Sequence, residues 1–123
     1  MQLIDRVKVI VLELAEAQGL TKAQVFALYC LDKCGGLAMG RAAEALHCDA
    51  SNVTGMVDRM VTQGLITREA VAHDRRTKTL QLTDKGQKVV AALKAAIPTK
   101  LHCDTLTAEE CKILQTVVQK LCA

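Results

Sequence analysis

The chain has 123 residues, half of them hydrophobic, with a formal net charge of +3. This length suits one domain with a core of its own, and the apolar content argues against a disordered chain. The mild positive charge permits a nucleic-acid partner without requiring one.

Leu3, Val7, Ile10, Val11 and Leu14 recur at helical spacing and predict a first helix over Leu3–Ala17, ended by Gln18-Gly19. Asp5, Arg6 and Lys8 interrupt this segment, so no signal-peptide core is expected. Nowhere is there an apolar run long enough to span a bilayer, so we expect a cytoplasmic protein with reduced cysteines and no membrane partner. Thr21 is placed to cap a second helix through Val25, Leu28 and Leu31 to about Lys33, with Cys34-Gly35-Gly36 as a loop. A short helix over Met39–Leu46 leads to a tight turn.

Asp49 is the expected N-cap of the next helix, where Val53, Met56, Val57, Met60 and Val61 form one apolar stripe. Ser51, Asn52, Thr54, Gly55, Asp58, Arg59 and Gln63 fall on the other side. Small hydroxyl and amide groups at a helix start suit phosphate and base-edge contacts, although a polar outer face is also what any surface helix shows. Gly64 stops the helix. Leu65–Arg68 reads as a strand. Leu80 and Leu82, alternating with Thr79 and Gln81, read as a second strand. Between them the segment Ala72–Thr77 reads as a polar tip in which Asp74 can orient Arg76 by a charge-assisted pair. Helix, turn, helix and basic hairpin together point to a winged helix-turn-helix with one helix in the major groove and arginines at phosphates or in a minor groove.

Thr83 can cap a long helix containing Val89, Val90, Leu93 and Ile97, which Pro98 should interrupt or bend. Thr107 can cap the last helix, striped by Ile113, Leu114, Val117, Val118 and Leu121. The first and last helices are too aliphatic to stand alone, and a two-fold dimer is the simplest cover for them. Such a dimer sets two recognition helices about 34 Å apart, one turn of DNA.

Leu20-Thr21-x-x-Gln24, Leu46-x-x-Asp49-x-Ser51-x-Val53-Thr54, Val57-Asp58-Arg59-Met60, Gly64-Leu65-Ile66-x-Arg68, Asp74-x-Arg76 and Leu82-Thr83-x-Lys85-Gly86 resemble, in order and spacing, the MarR family of winged-helix regulators. Leu106-Thr107-x-Glu109-Glu110 resembles that family's entry into its last helix. The resemblance implies a mainly α fold with a small β-wing. It implies one domain over residues 1–123, with the winged helix at about 21–83 and dimerisation helices at about 3–17 and 84–122. It also implies a homodimeric transcriptional regulator on a pseudo-palindromic double-stranded operator, often a repressor released by a small molecule or by oxidation. No cofactor is expected. Ser51, Asn52, Thr54 and Arg59 are the candidates for the major groove and nearby phosphates, and Arg68 and Lys78 for phosphates. Arg76, aimed by Asp74 and assisted by Arg75, is the minor-groove candidate. Gly55 stands where relatives often carry a larger polar or basic residue.

Six cysteines remain: Cys30, Cys34, Cys48, Cys103, Cys111 and Cys122. Cys48 suits packing as a small hydrophobe. Cys30 and Cys34 share a helical face, where they could hold a metal, or form a disulfide if the helix end frays. Their Cβ separation of about 5–6 Å is too wide for an unstrained disulfide. His47-Cys48 and His102-Cys103 are adjacent pairs, which seldom bind one ion, and no Cys-x-x-Cys is present, so no metal centre is expected. The candidate redox residues are Cys103, on exposure grounds, then Cys30 with Cys34. Relatives that sense oxidants usually carry a cysteine near the first helix, and none stands there. With Phe26 and Tyr29 the only aromatics, an effector pocket for aromatic acids would be sparse, and Arg41 and His47 are its candidate polar anchors. Two other classes contrast with a regulator. An enzyme would need a nucleophile–base set or paired acids in a cleft, and His73-Asp74 on a wing tip cannot exclude water. A winged helix used only for protein contact, as an adaptor or anti-regulator, would fit a neutral wing better than Arg68, Asp74 and Arg76.

Overall fold

Three threonines set the helix starts. Thr21 accepts a hydrogen bond from the Gln24 backbone N–H while Gln24 Oε1 accepts from Thr21 N at 3.0 Å, a closed capping box. Thr107 and Glu110 repeat it, and Thr83 accepts from Gly86 N. In the computed structural model these caps begin α2 (Lys22–Cys34), α6 (Ala108–Cys122) and α5 (Asp84–Lys100). The remaining elements are α1 (Leu3–Ala17), β1 (Leu37–Ala38), α3 (Met39–Ala45), α4 (Ala50–Thr62), β2 (Ile66–Val71), β3 (Asp74–Leu82) and a short 3-10 turn at Cys103–Thr105. The structure describes residues 2–46, 48–71 and 74–123, with the backbone alone at positions 50, 71 and 74–76.

The three strands form an antiparallel sheet in the order β1-β3-β2. Leu37 pairs with Leu80, and Ile66 with Leu82, so the apolar face of the hairpin base is held from both sides. The core is aliphatic, as the shortage of aromatics requires. Ile10, Leu28, Val53, Val57, Met60, Ile66, Leu80, Val90 and Leu93 are its largest fully buried side chains, drawn from α1, α2, α4, the hairpin and α5. Two ion pairs tie α5 to the helices before the wing: Lys94 to Asp32 of α2, and Lys100 to Glu13 of α1 at 3.3 Å.

Several expectations need correction. Asp49 occupies the N-cap of α4 in extended conformation, but its side chain makes no capping bond. β1 was not anticipated. Cys34 closes α2 rather than opening the loop, and Gly35 is the left-handed C-cap. The wing is longer than expected: β2 runs to Val71 and β3 begins at Asp74, so most of the segment assigned to the tip is strand. Pro98 does not interrupt α5, which continues to Lys100. Proline is tolerated there because its missing N–H forfeits a single bond in the final turn. Cys103 opens the short 3-10 turn between α5 and α6.

The α1 and α6 surfaces are unusually apolar. Leu3, Ile4, Leu12, Ile113, Leu114, Val117, Val118 and Leu121 are all exposed, and α6 buries none of its residues within the protomer.

The start of α5 lies against the hairpin through Gly86. A Cβ at this position would fall far inside contact distance of the Leu65 carbonyl oxygen. That oxygen cannot move freely, because it accepts from Thr83 N at 3.1 Å. Gly86→Ala is expected to destabilise the fold by about 1–3 kcal/mol through overpacking. Urea unfolding measures it, and unchanged stability would show that α5 does not approach the strand this closely.

Candidate nucleic-acid interface

The turn before α4 is held by its own backbone: Cys48 N donates to Ala43 O at 3.0 Å and Val53 N to Asp49 O at 3.0 Å. Cys48 is half-buried against the core and its thiol donates to Leu46 O at 3.1 Å, consistent with a packing role. Beyond the turn, α4 buries Val53, Met56, Val57 and Met60 and leaves Ser51, Asn52, Thr54, Asp58 and Arg59 exposed. The spacing that puts the methyl-rich stripe inward turns the polar set outward, so one sequence pattern both anchors the helix and offers a readable face.

The structure gathers some candidate residues and separates others. Ser51, Asn52 and Arg59 line a shallow hollow together with Thr21, Ala23, Gly55 and Met56. Gly55 faces this hollow without a side chain of its own. Arg68 and Lys78 line a second hollow at the root of the wing, beside Met39 and Gly40. Asp74, Arg75 and Arg76 enter as part of β3, and their side chains lie outside the described residues, as do His47 and His73. Arg41 is exposed on α3.

Arg68 is not a free cation. Its guanidinium donates to Asp58 Oδ1 at 2.5 Å, joining β2 to α4. Arginine has further donors in the same plane, so this pairing orients the group and leaves others for a phosphate. Three contacts at this junction were not foreseen from the sequence. Lys85 Nζ donates to Gln63 O at 2.8 Å, and Thr83 Oγ1 donates to Gly64 O at 2.6 Å, which together satisfy carbonyls at the end of α4. Gln24, almost fully buried, donates to Gln63 Oε1 at 3.3 Å and links α2 to the same helix end. Thr83 and Lys85 stand in the Leu-Thr-x-Lys-Gly pattern and Gln24 in Leu-Thr-x-x-Gln, but neither pattern names their partners at the end of α4.

A separate cleft of about 470 Å³ opens between α2 and α5, lined by Phe26, Tyr29, Cys30, Asp32, Lys33 and Lys94. Both aromatic residues of the chain are in it. The buried Tyr29 hydroxyl has no hydrogen-bond partner among the described residues, and burial raises its pKa above the ordinary value. Of the candidate redox residues, Cys34 is exposed while Cys30 and Cys103 are half-buried, so Cys34 and not Cys103 is the most accessible of the three.

A double-mutant cycle on Asp58 and Arg68 (Asp58→Asn, Arg68→Met) is expected to give a coupling of about 0.2–1 kcal/mol in stability, as for a partly exposed pair. Coupling indistinguishable from zero would mean that the pair does not persist in solution and does not position the wing.

This geometry has known counterparts. The MarR family model matches residues 20–78. The HTH-type transcriptional repressor MdtR of Bacillus subtilis (strain 168) is 38% identical over 112 residues, which are 88% of this chain and 71% of that protein. The X-ray structure of the YusO protein from Bacillus subtilis superposes with a TM-score of 0.76 at 34% identity, covering 98% of this chain and 86% of that one. A mutant MarR from E. coli complexed with operator DNA shares the fold, with a TM-score of 0.71 at 22% identity over 95% of this chain and 86% of that one. Turn, exposed α4 face, clamped wing and overall likeness agree: the chain belongs to the MarR family of winged-helix transcriptional regulators.

Proposed function

We propose that the protein is a cytoplasmic homodimeric repressor that binds a pseudo-palindromic operator and releases it in response to a small molecule or to cysteine oxidation. It acts by binding and is not an enzyme. The observation that carries this reading is α4, with its apolar stripe buried and Ser51, Asn52, Thr54 and Arg59 on the opposite exposed face, next to a basic two-stranded wing.

In this reading α4 enters the major groove, and its first two turns read base edges and nearby phosphates. Arg68, held by Asp58, turns its remaining donors to the phosphate backbone, and Lys78 contacts the same strand from the other side of the hollow. Arg76 enters the minor groove, with Asp74 orienting it and Arg75 assisting, where a narrow groove concentrates negative potential. The winged helix spans about 21–83. The exposed aliphatic faces of α1 and α6 supply the dimer contact, in the segments 3–17 and 84–122, and set the two α4 helices about one DNA turn apart.

The α2–α5 cleft is the effector site of this reading. It joins the half-exposed Phe26 ring and the Tyr29 hydroxyl to the Lys94–Asp32 pair that ties the two helices. A ligand that engages Lys94 competes with Asp32 and loosens the contact between the operator-binding lobe and α5. That is differential binding to two arrangements, which is what relief of repression requires.

Arg76→Ala is expected to weaken operator binding by about 1–3 kcal/mol, the loss of one well-fitted groove contact. Fluorescence anisotropy against the fragment upstream of the protein's own gene reads this directly. Unchanged affinity in a correctly folded variant would reject Arg76 as a groove contact.

A further inference from the structure

Cys30 and Cys34 stand one turn apart at the C-terminal end of α2, so both side chains leave the same face of the helix. Cys34 is the last helical residue and is exposed; Cys30 is half-buried and lines the α2–α5 cleft.

The spacing rejects one kind of bridge and accepts another. Helical Cβ atoms at this interval are about 5–6 Å apart, whereas a disulfide needs about 3.5–4.5 Å. A bridge with one atom between the sulfurs is longer. Metal–thiolate bonds near 2.3 Å allow a sulfur–sulfur span of up to roughly 4.6 Å across a single ion. Among the described residues, no group of three or more His, Cys, Asp or Glu side chains comes together, so a tetrahedral zinc site has too few ligands. An ion satisfied by two soft sulfurs is what this pair selects. Lys33 lines the cleft beside Cys30 and supplies positive charge against the anionic product, while Lys94 across the cleft is already paired with Asp32.

We propose that Cys30 and Cys34 form a two-coordinate site for a soft monovalent cation of the copper(I) class. Binding is a ligand exchange without electron transfer. Each thiol releases its proton to water, two metal–sulfur bonds form, and a bis-thiolate complex with one net negative charge results. The site does not depend on the operator reading. Its place does give it a route to the wing, because α2 runs through Gly35-Gly36 into β1, which pairs with β3.

The test is anaerobic competition for copper(I) between the full-length reduced protein and bicinchoninate, followed by the colour of the chelator complex. Wild type, Cys30→Ala, Cys34→Ser, the double variant and Cys122→Ser are compared, with circular dichroism as the check on folding. We expect each of the first two variants to lose the tightest equivalent per protomer, with an affinity at least tenfold weaker. The double variant should lose no more than either, and Cys122→Ser should match wild type. Cys34 is exposed, so Cys34→Ser keeps the test decisive even if Cys30→Ala fails to fold. Full retention of that equivalent by Cys34→Ser, or an equal loss in Cys122→Ser, would overturn the site.

Discussion

The arrangement of this protein depends on the junction at Gly64-Leu65, where α4 ends, β2 begins and α5 is laid across both. Gly64 takes the left-handed conformation that ends the helix, at φ 73. Leu65 N then donates back to Met60 O at 3.0 Å, and Leu65 O receives Thr83 N from the far end of the hairpin. Gly86 lets α5 lie against that same carbonyl, and Lys85 reaches the end of α4. Four elements therefore share one small backbone region. Moving the wing relative to α4 would break several of these bonds at once, so the junction couples the two elements proposed to face DNA. The Asp58–Arg68 pair acts further out along the same unit and is solvent-exposed, so it directs a side chain more than it holds the fold.

A hydrogen-bonded junction at the start of α5 and a polar cleft further along it suit a regulated binder. The unit proposed to meet DNA is cross-linked by backbone hydrogen bonds. α5 is fixed to that unit at its start, and further along, at the α2–α5 cleft, an ion pair lies beside the buried Tyr29 hydroxyl, which has no hydrogen-bond partner among the described residues. The two proposed inputs meet here: the cleft for a small molecule, and the Cys30–Cys34 face for a soft cation, one turn further along the same helix.

Local signals were legible in the sequence. α1 was read to the residue, and the threonine caps at Thr21, Thr83 and Thr107 were read because capping is decided within four residues. The buried stripe of α4 was read because one face must be apolar. What escaped was set by contacts distant in sequence. β1 has two residues, too few to show alternation, and exists because Leu37 pairs with Leu80. The outer wing reads Asp-Arg-Arg-Thr-Lys, polar on both faces, so period-two patterning is silent although the backbone is strand. The Asp49 cap was right in backbone and wrong in side chain, since propensity does not fix a rotamer. Arg68 was read as a DNA contact without its partner, because Asp58 is ten residues away on another element. The cleft was partly legible: Phe26 and Tyr29 are three apart on one helix, and a shared face could have been inferred.

The most direct test of the central claim is an anisotropy titration of the reduced protein at two salt concentrations, against the DNA upstream of its own gene and against an unrelated fragment of equal length. A dimeric operator-binding regulator should prefer the upstream fragment by at least about 10³-fold and should lose affinity steeply as salt rises. Equal, weak binding to both fragments would contradict it and would favour a winged helix that serves a protein partner.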